Sequence, residues 1–187
     1  MDYSKAIQEL NVMQQAYATI FSVTNKLQVR GDAFLEDFTS RQLMAIVAIL
    51  HLQEDETTIN NIARKLGTSK QNTTRLIASL ESKGYLISSP SEKDKRAVNV
   101  KLTERGNIAA IKCGEKSIYF MATIFNEFST EEIETLWQLL KKLYRFDGEA
   151  QDGFEDDASD RIDVGDNVDE LQSKIIEKFI ELRRDGK

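Results

Sequence analysis

The chain has 187 residues, 41% of them hydrophobic, and a formal net charge of −6. This length can bury a core without crosslinks, and the single cysteine and single histidine argue against an internal disulfide framework and a structural zinc site. The N-terminus does not resemble a signal peptide and no apolar run reaches membrane length, so we expect a cytoplasmic protein that does not contact a membrane.

Two helical patterns occupy the first third of the chain. Apolar residues spaced three and four apart predict a long helix over residues 4–30, ended by Gly31 and Asp32. Thr39 and Gln42 form a capping-box pattern at the start of a second helix, and a polar loop over residues 53–57 follows it.

The next stretch has the pattern of a helix-turn-helix. Thr58 caps a short helix with one apolar face, and Gly67 supplies the turn. Ser69 then caps a second helix that ends at Gly84. Two short helices joined by a glycine turn are typical of this DNA-binding motif, although many ordinary helix pairs look similar.

The second helix of the motif has one apolar and one polar face. Leu76, Ile77 and Leu80 are predicted to be buried, with Thr73 close to the polar face. Side chains of the types found on the polar face hydrogen-bond to base edges and phosphates. The residues that we expect to contact DNA from this helix are Ser69, Lys70, Gln71, Asn72, Thr74 and Arg75.

A two-stranded pattern follows. Tyr85–Ser89 is predicted to be a strand that Pro90 ends, and Ala97–Leu102 alternates as a second strand. The polar residues 91–96 between them form a hairpin tip with three cations. A strand, a basic tip and a strand after a helix-turn-helix predict a winged helix.

This region resembles the MarR family of bacterial transcriptional regulators. The resemblance rests on the Asp94-Lys95-Arg96 wing motif, the Val-x-Leu-Thr-x-x-Gly run over residues 100–106, and the Leu-Glu-x-Lys-Gly-Tyr junction over residues 80–85. It covers about residues 5–146 of the chain.

The resemblance implies how this unit binds double-stranded DNA. The helix from Ser69 would lie in the major groove, and Arg96 would enter the minor groove, oriented by Asp94. Lys93 and Lys95 would contact phosphates. The simpler alternative is that Asp94 and Arg96 form an ordinary exposed ion pair, which contributes little to stability.

The distribution of charge favours a nucleic-acid partner although the whole chain is acidic. Residues 59–105 hold ten Lys/Arg and four Asp/Glu, a local net charge of +6, whereas residues 147–187 hold six and fourteen, a local net charge of −8. A basic block on the winged helix is the expected electrostatic footprint of DNA binding. The alternative is a solvated face that happens to be basic.

Two further helices are predicted after the wing. Thr103 caps one that runs to about Phe125, and Ser129 opens another with a capping-box pattern. These helices and the first one carry more apolar surface than one subunit is expected to cover. The resemblance implies a homodimer made by the terminal helices, whereas the alternative is an intramolecular core. A two-fold dimer would match two half-sites of a pseudo-palindromic operator.

The last segment lies outside the usual family pattern. Residues 147–166 are acidic and are predicted to be a flexible linker, and an amphipathic helix follows from about Val168 to Asp185. This helix could dock on its own dimer, on a partner subunit or on another protein. We also hypothesise that the acidic linker competes with DNA for the basic wing.

Two features of the sequence bear on regulation: a possible ligand pocket and the single cysteine. The resemblance implies a small anionic aromatic effector, bound between the winged helix and the dimer helices. The residues expected to line such a pocket are Tyr17, Phe21, Arg41, His51 and Phe120. Aromatic residues at helical spacing are more often part of the core.

Cys113 could act as a redox sensor, but a free mid-helix cysteine is usually a small buried hydrophobe.

The sequence contains no catalytic constellation and no phosphate-binding loop, so we expect neither an enzyme nor a cofactor. The predicted fold class is mainly α with a small two-stranded β-wing: a winged helix-turn-helix plus long dimerisation helices. The predicted divisions are an N-terminal dimerisation helix (residues 1–35), the winged helix-turn-helix DNA-binding domain (36–105), C-terminal dimerisation helices (106–146), and an acidic linker with an extra amphipathic helix (147–187).

The predicted function is that of a sequence-specific transcriptional regulator. We expect a repressor that acts as a homodimer on its operator and is relieved by a small-molecule ligand. Two alternatives stay open at this point, namely a winged helix used for protein–protein binding and a redox sensor based on Cys113.

Overall fold

The computed structural model describes residues 2–35, 38–91, 97–148, 153–155 and 168–185. This part of the chain is mainly α, with one two-stranded antiparallel sheet, which confirms the predicted fold class. Its elements are α1 (Tyr3–Phe34), α2 (Ser40–Leu50), a short 3-10 turn (Glu54–Glu56), α3 (Ile59–Lys65), α4 (Lys70–Ser82), β1 (Leu86–Pro90), β2 (Val98–Leu102), α5 (Glu104–Ile124), α6 (Thr130–Tyr144) and α7 (Val168–Asp185).

The first helix does not end where the sequence predicted. It continues through Gly31 and Asp32 to Phe34. Gly31 serves close packing instead of termination, because a Cβ at this position would lie 2.5 Å from the Ser40 hydroxyl oxygen at the start of α2. The predicted stop at Gly31 and Asp32 is therefore wrong, since tertiary packing uses the glycine inside the helix.

The predicted helix caps are confirmed. Thr39 and Ser129 each form a complete capping box, with Gln42 and Glu132 as the respective partners. The Thr103 side chain accepts a hydrogen bond from the backbone N–H of Gly106 at the start of α5. Each cap satisfies backbone donors that the first turn of a helix would otherwise leave without partners.

The core lies where α2, the α3–α4 pair, the sheet and the first half of α5 meet. Its largest fully buried side chains include Ile46, Ile62, Leu80 and Val100. The winged helix is therefore packed as a unit on α2, and α5 leads out of it. Large-to-small substitutions at such positions typically cost about 2–5 kcal/mol.

Two helices project beyond this core with their apolar faces uncovered. Gly31 is the buried residue of α1, and α6 has no buried residue. Large apolar side chains on both helices are solvent-exposed, among them Leu10, Met13, Tyr17, Leu139 and Leu143. These faces are the excess apolar surface that the sequence analysis anticipated.

The predicted C-terminal amphipathic helix is confirmed as α7, and it packs against α5 of the same chain. The Arg183 guanidinium donates hydrogen bonds to the carbonyl oxygens of Phe125 and Phe128, the second at 2.7 Å. A cation here satisfies carbonyls at and beyond the C-terminal end of α5, where the helix dipole favours positive charge. The sequence left the destination of this helix open, and the structure shows it docked on α5 of the same chain.

Most of the predicted acidic linker lies outside the described residues. The described exceptions are Asp147, Gly148 and the segment Gly153–Glu155. Phe154 in that segment packs against the core, which the prediction of a flexible linker did not anticipate. The composition of residues 147–166 gave no signal for a single anchored aromatic residue.

Candidate nucleic-acid interface

The helix-turn-helix forms from α3, a glycine turn and α4. Thr58 accepts a hydrogen bond from the Asn61 N–H and Ser69 accepts one from the Asn72 N–H, so both predicted caps are confirmed. Gly67 has φ +60 between the two helices. That left-handed conformation favours glycine, and it turns the chain so that α4 starts at a fixed angle to α3.

One face of α4 is buried in the winged-helix core. Ile77 and Leu80 are buried as predicted. Thr73, which the sequence placed near the polar face, is 0% exposed, and its hydroxyl donates to the Ser69 carbonyl oxygen at 3.2 Å. That prediction is corrected, because a threonine that satisfies its hydroxyl on its own helix can pack as a small apolar residue.

The opposite face of α4 is fully presented to solvent. All six predicted DNA-contacting residues of this helix are exposed. The Thr74 hydroxyl donates to the Lys70 carbonyl oxygen at 2.9 Å, so its polar group is partly used within the helix. Within the described residues, the side chains of Lys70, Gln71 and Arg75 form no hydrogen bond or ion pair. These three side chains are available to an external partner.

A buried glutamine fixes α4 on α2. The Gln42 side-chain amide donates to the Ser79 hydroxyl at 2.9 Å, and its carbonyl oxygen accepts from the Lys83 ammonium at 3.1 Å. Gln42 is 6% exposed, so these hydrogen bonds are shielded from bulk water. Satisfied hydrogen bonds in such a setting fix the position of α4 relative to α2. The spacing of Gln42 predicts only a cap and gives no indication of its contact with α4.

The wing is a regular hairpin. Ser88 pairs with Val100, Pro90 pairs with Val98, and the Ser91 N–H donates to the Ala97 carbonyl oxygen at 3.0 Å where the described hairpin closes. The first strand is displaced by one residue from the predicted one, whereas the second begins one residue later than predicted and ends at the same residue. Pro90 is included because the last position of an edge strand does not need its N–H.

The second wing strand is held on its other side by the loop before α3. The Val100 N–H donates to the Thr57 carbonyl oxygen at 3.1 Å, and the buried Asn99 side chain donates to the Asp55 carbonyl oxygen at 3.3 Å. These contacts account for the burial of Asn99, which is 6% exposed. The wing is thereby tied to the helix-turn-helix and cannot swing independently at its base.

Residues 92–96 at the tip of the wing lie outside the described residues. The predicted DNA contacts Lys93, Asp94, Lys95 and Arg96 all fall there. They stay predictions, and the structure defines only the hairpin on which they are carried.

An apolar cavity of about 1140 Å³ lies between α1, α3 and α6. Tyr17, Phe21 and Trp137 line it, together with the cations Lys141 and Arg145. Of the five residues predicted for a ligand pocket, Tyr17 and Phe21 are in its wall.

The other three predicted pocket residues lie elsewhere. Arg41 donates to the Gln28 side-chain oxygen at 3.2 Å, and the Phe120 ring packs on the Phe34 ring at a centroid separation of 5.2 Å. The His51 ring does not line the cavity itself, but it packs edge-on at 5.4 Å against the ring of Phe154, which does. Helical spacing could not decide which aromatic residues share one wall.

Cys113 is 2% exposed in the core. A buried thiol has little contact with oxidants in solution. Among the described residues, no group of His, Cys, Asp and Glu side chains is arranged to hold a metal ion. The same residues include no helix that is both long and apolar enough to cross a membrane.

Comparison with known proteins shows which family this region resembles. Residues 36–97 match the model of the MarR family. That match covers 62 of the 187 residues, so the likeness to the family is a likeness of this region. The match covers α2, the helix-turn-helix, and the wing up to its second strand, which is the region whose geometry is described above.

Individual relatives match a longer part of the chain than the family model does. The chain is 27% identical over 111 residues to the transcriptional repressor MprA of Escherichia coli K12, a match that spans 59% of this chain and 63% of MprA, less than two thirds of that repressor's length. A MarR/EmrR family transcriptional regulator from Acinetobacter sp. ADP1 is 25% identical and superposes with a TM-score of 0.65, covering 74% of this chain and 99% of the other.

A third relative was solved with DNA. The Staphylococcus aureus MepR–DNA complex is 25% identical to this chain, with a TM-score of 0.61, over 68% of this chain and 94% of MepR. The fold that presents α4 and the wing is therefore one that is known in a DNA-bound form.

Proposed function

We propose that this chain is a sequence-specific DNA-binding transcriptional regulator, and that it acts as a repressor. The observation that carries the proposal is the exposed polar face of α4, where Lys70, Gln71 and Arg75 have no partner within the described residues. These are the donor types that read base edges and phosphates in a major groove. The MarR-family fold and its DNA-bound relative MepR support the same conclusion.

The proposed active form is a homodimer joined through α1 and α6. Both helices expose continuous apolar surface, with Leu10 54% and Leu139 60% exposed, and a surface of this kind on a soluble protein usually marks an interface. Two-fold symmetry would present two α4 helices to successive major grooves, about 34–36 Å apart. A pseudo-palindromic operator follows from that symmetry.

We further propose that a small aromatic anion relieves repression by entering the cavity between α1, α3 and α6. Its wall combines the rings of Tyr17, Phe21 and Trp137 with the cation Lys141. Arg145 is in the same wall, where it is paired with Glu155. Apolar walls with a few placed charges are typical of ligand sites. A ligand there would lie between a dimerisation helix and the helix-turn-helix, so it could change the separation of the two α4 helices.

The test of DNA binding is a fluorescence-anisotropy titration at several salt concentrations. Duplexes from the chain's own upstream region are compared with scrambled duplexes, for the wild type and for Arg96→Ala. A matched control is Lys178→Ala, which removes a cation from α7, where its partner is Glu181 at 2.8 Å. We expect selective binding that Arg96→Ala weakens and Lys178→Ala leaves unchanged. Equal affinity for specific and scrambled duplexes at every salt concentration would refute the proposal.

The ligand site has a convenient probe, because Trp137 is the only tryptophan in the chain and lines the cavity. Benzoate is expected to change its fluorescence in a saturable way and to release the protein from its operator over the same concentration range. An unchanged Trp137 signal at saturating benzoate would reject this cavity as the effector site.

A further inference from the structure

The side chain of Phe154 is held in a defined position beside the winged helix. Phe154 packs against the core. Its ring meets the His51 ring edge-on at 5.4 Å, and the Lys65 ammonium lies 5.5 Å from its ring centre. Edge-on aromatic pairs and cations over ring faces are both favourable arrangements. This position beside His51 and Lys65, which we call the Phe154 site, therefore binds an aromatic ring.

The residue after Phe154 is bound as well, through its carboxylate. Glu155 accepts a hydrogen bond from the Arg145 guanidinium at 2.9 Å, and its second oxygen accepts one from the Gly153 N–H at 3.1 Å. The Arg145 side chain is 46% exposed and that of Glu155 is 25% exposed. Ion pairs that are open to water contribute little free energy. Arg145 can therefore exchange Glu155 for another carboxylate at little cost.

The segment Gly153–Glu155 forms one end of the wall of the cavity between α1, α3 and α6. All three of its residues line the cavity, as does Arg145. A Cβ on Gly153 would lie 3.8 Å from carbons of the Tyr144 ring, so the segment passes close to the end of α6. The Tyr144 hydroxyl donates to the Lys65 carbonyl oxygen at 3.1 Å, which joins the ends of α6 and α3 at this place. The Phe154 site is thus adjacent to the cavity.

The other end of the cavity also combines a ring with a cation. The Lys141 ammonium lies 5.2 Å from the centre of the Trp137 ring. Trp137 precedes Arg145 by eight residues on α6, which is about 12 Å along a helix axis. His51 and Trp137 therefore mark two different ends of this region, and a ligand can be followed at each of them separately.

We propose that Gly153–Glu155 is a tethered competitor of the effector. An aromatic acid would bind by displacing the Phe154 ring from the Phe154 site and the Glu155 carboxylate from Arg145. Such an acid combines in one small molecule the two groups that the chain supplies from consecutive residues. The proposal rests on the proposed effector cavity and names the groups that the effector replaces. The segment then sets the effector concentration at which repression is relieved.

The direction of the effect separates competition from a purely structural role. A ligand that binds only the open form has its apparent dissociation constant raised by the inverse of the open fraction. If the segment is bound about two thirds of the time, its removal lowers that constant about threefold. If Phe154 only stabilised the cavity wall, its loss would leave ligand affinity unchanged or weaken it.

The test compares the full-length wild type with two variants, each of which removes one of the competing groups. Phe154→Ala removes the ring, and Glu155→Gln removes the charge while keeping the shape of the side chain. Phe146→Ala is the matched control, because Phe146 lines the same cavity but is 82% exposed. The probes are benzoate and its neutral analogue benzamide.

Two reporters follow the probes at the two ends of the region. Trp137 is the only tryptophan and His51 the only histidine in the chain. Trp137 fluorescence reads the cavity, and the ring protons of His51, observed by NMR, read the Phe154 site. The two signals therefore distinguish a probe in the Phe154 site from one bound elsewhere in the cavity.

We expect benzoate to shift the His51 resonances of the wild type, because the Phe154 ring leaves them. Phe154→Ala and Glu155→Gln should each lower the half-saturating benzoate concentration by about threefold, and Phe146→Ala should leave it unchanged. Benzamide should gain affinity from Phe154→Ala but not from Glu155→Gln, since it has no carboxylate to place on Arg145.

Several results would overturn the competition. One is an equal half-saturating benzoate concentration in all four proteins, or a higher one in Phe154→Ala. Another is a set of His51 resonances that are the same in wild type and Phe154→Ala, which would show that Phe154 does not occupy its site in solution. A gain from only one of the two variants would overturn the part assigned to the other group.

The two reporters also separate failure of this proposal from failure of the effector cavity. A saturable Trp137 response without any movement of His51 would place the ligand at the other end of the cavity, and would overturn the competition while the effector cavity stands. No response of either reporter in any of the four proteins would overturn the effector cavity, and the competition with it. Selective DNA binding is measured independently of both.

Discussion

The carbonyl oxygen of Tyr85 lies 2.0 Å from the position that a Cβ on Gly106 would occupy. The same carbonyl accepts a hydrogen bond from the Thr103 N–H at 3.0 Å, so the start of the wing and the first turn of α5 are pressed together. This contact gives a physical reason for the glycine that ends the Leu-Thr-x-x-Gly run. Its role is to let two backbones approach, and the run as a whole joins the wing to α5.

Gly106→Ala is therefore expected to destabilise the protein, because the new methyl group meets backbone that cannot rotate away. Overpacking of this kind costs about 2–3 kcal/mol, measured as the free energy of unfolding in urea. Gly114→Ala is the matched control in the same helix. A Cβ on Gly114 meets nothing within 4 Å, so that change should stabilise α5 by about 0.5–1 kcal/mol. Equal effects of the two substitutions would contradict the close-approach argument.

Lys70 and Gln71, which are neighbours on the exposed face of α4, are predicted to contact different parts of the DNA. Lys70 is in the first turn, where phosphate contacts are favoured, and Gln71 carries an amide suited to a base edge. Lys70→Ala should weaken binding to specific and scrambled duplexes alike and reduce the salt slope by about one. Gln71→Ala should cost about 1–3 kcal/mol on the specific duplex alone.

Anisotropy titrations at matched salt concentrations measure both effects of the α4 substitutions. Lys178→Ala on α7 controls for the general loss of a cation. If Gln71→Ala weakened both duplexes equally, the assignment of Gln71 to base readout would be withdrawn. The proposed DNA-binding surface would still stand.

The uncovered face of α6 predicts the behaviour of the proposed dimer. Leu139→Glu places a carboxylate on an apolar surface that is 60% exposed in one subunit. We expect the dissociation constant to rise at least about tenfold, because burying an unpaired charge costs more than 1.4 kcal/mol. Sedimentation velocity over a concentration series measures the shift. Gln138→Glu adds the same charge at the neighbouring polar position and should have a smaller effect. A chain that sediments as a monomer before any substitution would remove the dimer proposal.

The sequence was sufficient for those features that local chemistry determines. The caps at Thr39, Thr58 and Ser69 followed from residue type and spacing. The turn at Gly67 could be predicted because the left-handed backbone after a helix favours glycine. The buried face of α4 at Ile77 and Leu80 followed from periodicity, because a helix on a core has one apolar side.

Features that depend on distant parts of the chain could not be predicted in this way. Gln42 contacts residues of α4 some forty positions away, and Gly31 is matched to Ser40 on another helix. Phe154 is one aromatic residue in an acidic stretch, and it packs near His51 and Lys65, which lie far from it in the sequence. The same limit applied to the pocket prediction: Tyr17 and Phe21 line the cavity and Arg41, His51 and Phe120 do not, and nothing in the sequence separated the two groups.

The junction between α1 and α2 predicts a dependence of stability on pH. The pKa of the Asp32 carboxyl is held below its usual value. The causes, largest first, are the hydrogen bond from the Ser40 backbone N–H, the hydrogen bond from the Ser40 hydroxyl, and the charge of Arg41. A carboxyl whose pKa is lower in the folded state stabilises that state above its unfolded pKa of about 3.9, and this contribution disappears as the pH falls through the folded pKa. Asp32→Ala should thus be less stable than the wild type at pH 7 and at pH 5, with the difference shrinking below about pH 3.9. Urea unfolding at several pH values measures this difference.

Asp32→Asn keeps an acceptor for the Ser40 N–H but loses the charge, so it should retain part of the stability and show no such change with pH. A difference between wild type and Asp32→Ala that stays constant down to pH 2.5 would show that the ionised carboxylate does not stabilise this junction.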